Sequence, residues 1–398
     1  MAAVLIYVQH LLGIGHLMRT RLIAEALAES GLEVHLVTGG VPVAHRQPRG
    51  VRTVQLPPIA VTDASFKPLR DAEGQPITEA YRQLRRERLC AAYDEAAPAA
   101  VLFESFPFGR RALRFELLPL LERIEATPAR PRVLASVRDI LQLQTKPGRD
   151  REMLELANRW FDAILVHGDP RFTRFEGTFP FTAELRPALH YTGFVRAGGA
   201  MRPPPGPAAR NEVLVSVGGG AMGVALLNCA LDAQPVSQLP GMTWRLLVGG
   251  NVGEADFRRL AGRAGPRTIV ERAREDFPAL LEGALVSVSQ AGYNTAVDVV
   301  TSGARTVLVP FASSGETEQQ ARAGLLEQLG LAIVLDEARL SPKALANAVD
   351  AAGRSERWGR WDFESDGAAR SAAIIGEMIT EDRRASGNAG VRSTKAVR

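Results

Sequence analysis

Cysteine is scarce in this sequence of 398 residues: only Cys90 and Cys229 occur, far apart and without metal-ligand spacing. That excludes a disulfide framework and a zinc site, and it favours a reducing cytoplasm. Long apolar runs are also missing. No stretch of about 18 apolar residues occurs, so nothing in the sequence reads as a membrane span. The N-terminus, Met1-Ala-Ala-Val-Leu-Ile-Tyr-Val-Gln9, has no basic n-region and no cleavage site, and it reads as a first strand. Aromatic residues make up 6%, with no basic–aromatic platform and no reader motif, which argues against nucleic acid. Lysine is rare, so the net charge of +4 rests almost wholly on arginine. Guanidinium forks suit anionic partners, although Arg82–Arg88 and Arg110–Arg114 read equally well as solvated helix faces.

The 46% hydrophobic and 23% charged content is that of a globular chain, and the length suggests two domains. Short apolar runs alternate with helical patterns, the signature of parallel sheets with crossover helices. Val4–Val8, Val34–Val37, Val101–Phe103, Val133–Val137 and Ile164–Val166 read as strands in the first half. Val213–Val217, Trp244–Val248, Thr268–Val270, Leu285–Val288 and Thr306–Val309 read as strands in the second. Between the halves lies Met201-Arg-Pro-Pro-Pro-Gly-Pro207, which can continue neither sheet because proline lacks the amide donor. The expectation is two Rossmann-like α/β domains facing a central cleft. Residues 1–200 form the first, 201–210 the linker and 211–365 the second, with a terminal helix over 366–381 and a disordered tail over 382–398.

In such sheets, ligands sit beyond the carboxyl ends of the strands. Gly13-Ile-Gly15-His16 follows the first strand and opens a helix, and its glycines let backbone approach a ligand. Met18 stands where a dinucleotide fingerprint needs a small residue, and Val37-Thr-Gly-Gly40 lacks the acid after strand two, so NAD and FAD are not expected. His16 is a candidate general base because imidazole titrates near neutrality; a histidine that only hydrogen-bonds its own helix is the plainer alternative. Glu104 and Asp139, at strand ends, are rival bases, and Arg138 lies beside them. In the second half, Gly218, Gly219 and Gly220 precede a helix and suit a diphosphate. No Lys-Ser/Thr follows, so this is not a Walker-A loop. Ser289-Gln-Ala291-Gly292-Tyr-Asn-Thr295-Ala-Val-Asp298 runs from a strand into a helix, and Asp298 is placed to accept both hydroxyls of a ribose. Glu318-Gln319-Gln320 opens a further helix after Pro310-Phe311, and amides beside carboxylates are what sugar hydroxyls need.

This combination resembles the donor half of GT-B glycosyltransferases, and most closely glycosyltransferase family 28, which includes the peptidoglycan enzyme that adds N-acetylglucosamine to a lipid-linked muramyl peptide. The opening Gly-Ile-Gly-His-Leu-Met-Arg19 resembles that family's N-terminal loop. Glu104-Ser-Phe-Pro-Phe-Gly-Arg-Arg111, Arg138-Asp-Ile140 and Tyr191-Thr-Gly193 are similar to a bacterial subgroup of predicted glycosyltransferases. The resemblance spans about residues 3–380 and is looser in the first half. It implies Asp298 on the ribose, where relatives usually have Glu, and Gln319 and Gln320 on the donor sugar. It also implies Gly219 and Gly220 on the diphosphate, and the segment near Ala273–Arg274 on the base.

The resulting expectation is a cytoplasmic hexosyltransferase, peripheral to the inner face of the membrane if its acceptor is lipid-linked. It would move a hexosyl or N-acetylhexosaminyl group from a UDP-sugar to an acceptor, lipid-linked or small. Transfer would be inverting, with no tightly bound cofactor and no metal, since no Asp-x-Asp motif stands in a suitable place. Gly13, Gly15 and Arg138 would serve the acceptor side. Two alternatives share the fold: a UDP-sugar 2-epimerase or hydrolase, for which Glu104, Asp139 and His167 supply acid/base groups, and a non-catalytic sugar-nucleotide sensor.

Overall fold

The computed structural model describes residues 1–11, 13–43, 46–61, 68–196, 211–217, 223–239, 241–250, 252–274, 276–311, 317–356 and 358–394, leaving aside the side chains of 383 and 385–394. The expected linker 201–210 and the glycines 218–220 lie outside the described residues. The chain forms two compact units: one holds Met1–Leu12, His16–Ala197 and Glu364–Arg398, the other Gly13–Gly15 and Gly198–Phe363.

The first unit is built on a seven-stranded parallel sheet. Its strands are β1 (Ala3–Val8), β2 (Glu33–Thr38), β3 (Val51–Gln55), β4 (Ala100–Glu104), β5 (Arg132–Arg138), β6 (Ala163–His167) and β7 (Ala188–Tyr191). They lie in the order β3-β2-β1-β4-β5-β6-β7. Side chains alternate across the pleat, so each strand feeds two cores. Leu5 and Tyr7 of β1 join Val101, Phe103 and Val133 on one face, while Val4, Ile6 and Val8 join Leu102, Leu134 and Leu165 on the other. Burial on both faces explains the unbroken apolar strands. The crossover helices are α1 (Gly15–Glu29), α2 (Glu79–Ala96), α3 (Arg114–Glu125) and α4 (Arg149–Trp160). Thr78 caps α2 through its side chain, which accepts from the Tyr81 amide.

A buried polar cluster ties α2 and α3 to the sheet. Arg85 and Glu116, both fully buried, pair at 2.7 Å. Tyr7 Oη donates to the same carboxylate, and Arg85 also donates to Gln9 Oε1 at 3.0 Å. Each charge therefore has a partner, as burial requires.

The second unit carries a six-stranded parallel sheet. Its strands are β8 (Glu212–Ser216), β9 (Thr243–Val248), β10 (Thr268–Arg272), β11 (Ala284–Ser289), β12 (Arg305–Leu308) and β13 (Ile333–Val334), ordered β10-β9-β8-β11-β12-β13. Helices α5 (Val224–Ala233), α6 (Glu254–Ala261), α7 (Phe277–Gly283), α8 (Tyr293–Thr301) and α9 (Glu318–Gln328) connect the strands, and α10 (Pro342–Arg354) follows the last one. The last helix, α11 (Gly367–Thr394), belongs to the first unit. Its Ala372, Ile375 and Ile379 are buried in the core of β1 and α1. Phe194 N–H donates to the Glu364 carbonyl at 2.8 Å and Gly367 N–H to the Phe194 carbonyl at 3.1 Å. Gly193, at φ 79°, allows the close approach: a Cβ there would stand 2.8 Å from that of Glu364. The helix extends past the limit of 381 expected from sequence. Its polar end lacks apolar periodicity but contains no proline to stop the helix.

Candidate active site

Strand order reverses between β1 and β4 in the first sheet, and ligands of open α/β sheets bind at such a switch point. His16, in the first turn of α1, meets Glu104, the last residue of β4, at this point. His16 Nδ1 lies 2.5 Å from Glu104 Oε1. The same oxygen accepts from Arg19 Nη2 at 2.5 Å and Ser105 Oγ at 2.8 Å. The other imidazole nitrogen, Nε2, stands 2.6 Å from Arg138 Nη2 at the end of β5. Arg110 Nη2 lies 3.7 Å from Glu104 Oε2. The loop that brings Arg110 there begins and ends on left-handed residues, Ser105 at φ 64° and Arg110 at φ 58°. Such backbone costs about 1–3 kcal/mol per residue and persists only where the surroundings enforce it.

Electrostatics separates the two partners. Burial would raise the Glu104 carboxyl, but contacts with His16, Arg19 and Arg110 hold it well below the usual carboxylate range. Burial, then Arg110 and Arg138, push His16 down to about 3 against the opposing pull of Glu104. A neutral imidazole beside a carboxylate carries its proton on Nδ1, which leaves the lone pair on Nε2. His16 keeps 19% of its side chain exposed and Glu104 none. The pair thus has the geometry of a base held by a buried carboxylate.

The rival bases are both buried. Glu104 is fully buried, and its Oε1 is taken by His16, Arg19 and Ser105. Asp139 is 1% exposed and packs on Gly168, whose Cβ would stand 2.8 Å from that of Asp139. His167 is a satisfied core histidine, with Ser136 Oγ at 2.7 Å on Nε2 and Thr192 Oγ1 at 2.9 Å on Nδ1. Arg19, Ser105 and Arg110 were missed. Arg19 sits three residues after His16 on one helix, which places both on one face and was a readable signal.

The second sheet reverses order between β8 and β11. Ser216 and Ser289 pair in register at the carboxyl ends of those strands. Both hydroxyls are buried and have no hydrogen-bond partner among the described residues. Gly292 precedes α8, with Thr295 in its first turn and Asp298 in its second, both half-buried.

The helix α9 departs from expectation. The Gln319 side-chain carbonyl, expected to meet sugar hydroxyls, accepts from the backbone amides of Ala291 at 3.1 Å and Phe311 at 3.2 Å. It clamps together the two loops that follow β11 and β12. Glu318 is buried and pairs with Arg322 at 2.9 Å, while Arg322 Nη1 donates to the Ala291 carbonyl at 2.9 Å. Gln320 is exposed. Arg274 is exposed and tied to Asp276 through bonds of 2.8 and 2.6 Å. Gln319 thus bridges the loops that follow β11 and β12, and Glu318 pairs with the arginine that holds the Ala291 carbonyl.

Two Rossmann-type sheets with these switch points define a GT-B architecture, and solved structures agree. A calicheamicin glycosyltransferase superposes with a TM-score of 0.57 at 15% identity over 100% of both chains. MurG of Acinetobacter baumannii gives 0.57 at 15% identity, covering 95% of this chain and 100% of the other. At such identity the likeness shows the fold. More particularly, residues 214–357, just over a third of the chain, match the glycosyltransferase family 28 C-terminal domain, so this part of the second unit is similar to the donor half of that family. Among curated relatives is a UDP-N-acetylglucosamine--N-acetylmuramyl-(pentapeptide) pyrophosphoryl-undecaprenol N-acetylglucosamine transferase of Prochlorococcus marinus (strain MIT 9303). It is 27% identical over 36% of this chain and 38% of its own length. The protein of the same name from Herminiimonas arsenicoxydans is 31% identical over 33% and 37%. The chain therefore spans under two-fifths of the length of these curated relatives. No helix among the described residues is long and apolar enough to cross a membrane.

Proposed function

We propose that this protein is a hexosyltransferase that uses a UDP-sugar, with His16 as general base. The observation that carries the reading is the His16–Glu104 pair at 2.5 Å, which in this reading keeps the proton on Nδ1 and leaves the Nε2 lone pair, facing Arg138 Nη2 at 2.6 Å, as the proton acceptor. In the proposed step an acceptor hydroxyl gives its proton to Nε2 while its oxygen bonds to the anomeric carbon. The bond from that carbon to the diphosphate oxygen breaks, and UDP leaves with the electron pair. One displacement inverts the anomeric configuration. Glu104 stabilises the imidazolium that forms.

The donor half rests on the second unit. The family match covers β11, α8 and α9, the relatives' names specify a UDP-N-acetylglucosamine donor, and the hydroxyls of Ser216 and Ser289, without a partner among the described residues, stand at the switch point. In this reading Asp298 binds the ribose, the glycines 218–220 and the N-terminus of α8 hold the diphosphate, and Gln319 fixes the loops around it. The acceptor is a hydroxyl compound, and the relatives' names offer a lipid-linked one, which would bring the protein to the inner face of the membrane. The 2-epimerase alternative loses ground, because Asp139 and His167 are buried and cannot serve a second face of the sugar. A UDP-sugar panel, read by UDP release with and without host lipid extract, tests the proposal. Acceptor-dependent release is expected; equal release without acceptor would point to hydrolysis or epimerisation.

A further inference from the structure

Arg110 is buried to nine-tenths, and its Nε and Nη2 have no hydrogen-bond partner among the described residues. The nearest carboxylate oxygen, Glu104 Oε2, is 3.7 Å away, too far for a hydrogen bond. Burial lowers this guanidinium, Glu104 opposes that effect, and the charge of Arg138 adds to it. Both guanidinium groups flank one His16–Glu104 pair, Arg110 at the carboxylate and Arg138 at the imidazole. Burying one with unmet donors is costly, and here left-handed backbone at Arg110 holds it in place. Such an arrangement is stable when a ligand supplies the missing anion. Meanwhile Arg138 Nη2 occupies the lone pair of His16 Nε2 at 2.6 Å. The base assigned above is masked as it stands.

We propose that Arg110 and Arg138 bind a phosphate group carried by the acceptor, and that this phosphate draws Arg138 off His16 Nε2, exposing the base only when the acceptor is seated. Two guanidinium forks beside one imidazole suit a phosphate dianion with three acceptor oxygens better than a single carboxylate. Arg138 acts here as a positioning residue. The inference rests on the reading of His16 as base and deepens it: the acceptor is a phosphorylated hydroxyl compound, either lipid-linked or a soluble sugar phosphate.

The test uses the full chain without donor sugar, and follows the imidazole nitrogen resonances during titration with inorganic phosphate, glucose 1-phosphate, and phosphatidylcholine vesicles with or without phosphatidic acid. His16→Gln assigns the His16 signals. Each titration is repeated with UDP present, so that a diphosphate site in the second unit is occupied. The expected result is a saturable shift of His16 Nε2 that weakens about tenfold in Arg110→Gln and is partly restored in Arg110→Lys. A response to glucose 1-phosphate assigns a soluble source; a response confined to phosphatidic acid assigns a lipid one. No saturable shift with any probe, or equal affinity in wild type and Arg110→Gln, overturns the proposal. If Arg110→Gln does not fold, Arg138→Lys replaces it, with the same loss expected. UDP binding is measured separately: its absence would sink the donor reading while leaving the phosphate result intact.

Discussion

Replacing Glu104 with Gln removes one charge and almost no volume, which isolates electrostatics from packing. The carboxylate lies between His16 and Arg19 at 2.5 Å each, with Arg110 at 3.7 Å. The amide has two orientations. With its carbonyl at the Oε1 position it still accepts from Arg19 and His16, but its NH2 then faces the Arg110 guanidinium. Flipped, it presents a donor to Arg19 and to Nδ1, which moves the imidazole proton to Nε2 and abolishes the base. Both orientations lose the charge that stabilises an imidazolium. A positioned base contributes about 10²–10⁴ in rate, so Glu104→Gln is expected to lower acceptor-dependent turnover by about that factor. Removing one partner from a buried ion pair costs about 3–5 kcal/mol. At about 2–4 °C per kcal/mol for a unit of this size, the melting transition of the first unit should fall by about 6–20 °C. The affinity for UDP, carried by the second unit, should not change. The assays are UDP release, scanning calorimetry and UDP titration on one preparation. Turnover within threefold of wild type, with an unmoved transition, would refute the reasoning.

Three further outcomes follow from the same contacts. Gln319→Ala removes the acceptor of two backbone amides at about 1 kcal/mol each, so the UDP dissociation constant should rise about tenfold while the first unit's transition stays in place; equal UDP affinity in titration would contradict the clamp. Arg85→Met leaves Glu116 buried without its cation and should destabilise the first unit by about 3–5 kcal/mol in urea unfolding, with UDP affinity unchanged; a loss under 1 kcal/mol would mean that the pair is dispensable. His16 sits at about 3 instead of 6.5 because burial, Arg110 and Arg138 disfavour its charged form, with Glu104 opposing and Arg19 and Ser105 bonded to that carboxylate. Its stabilisation of the fold is therefore present above pH 6.5 and is lost as pH falls from 6.5 toward 3. The acid limb of kcat/KM should likewise lie below pH 6.5 and move up in Arg138→Ala; a limb at 6.5 in the wild type would contradict the shift.

The central strands were readable because burial on both faces demands continuous apolar runs. The strands that escaped notice, β3, β7 and β13, are sheet edges. Edge strands are half-solvated: β3, Val-Arg-Thr-Val-Gln, keeps most of its residues exposed and shows no apolar run. The course of α11 was hidden for a different reason. Nothing local in Gly367–Ile379 says that it packs on β1 and α1, more than 340 residues earlier in the sequence. At the site, strand ends pointed to His16, Glu104 and Arg138, since topology places them. The roles of Glu104 and Gln319 depend on which atom faces which neighbour. That is set by rotamer and by the turns at Ser105 and Arg110, where left-handed arginine and serine leave little trace in sequence.

The central claim, transfer from a UDP-sugar with His16 as base, is tested most directly by UDP release from a donor panel with host lipid extract, comparing wild type with His16→Ala at equal UDP occupancy. The account predicts acceptor-dependent release that falls by about 10²–10⁴ in His16→Ala while the UDP dissociation constant holds. Less than tenfold loss of turnover in that variant, with donor binding intact, would contradict it.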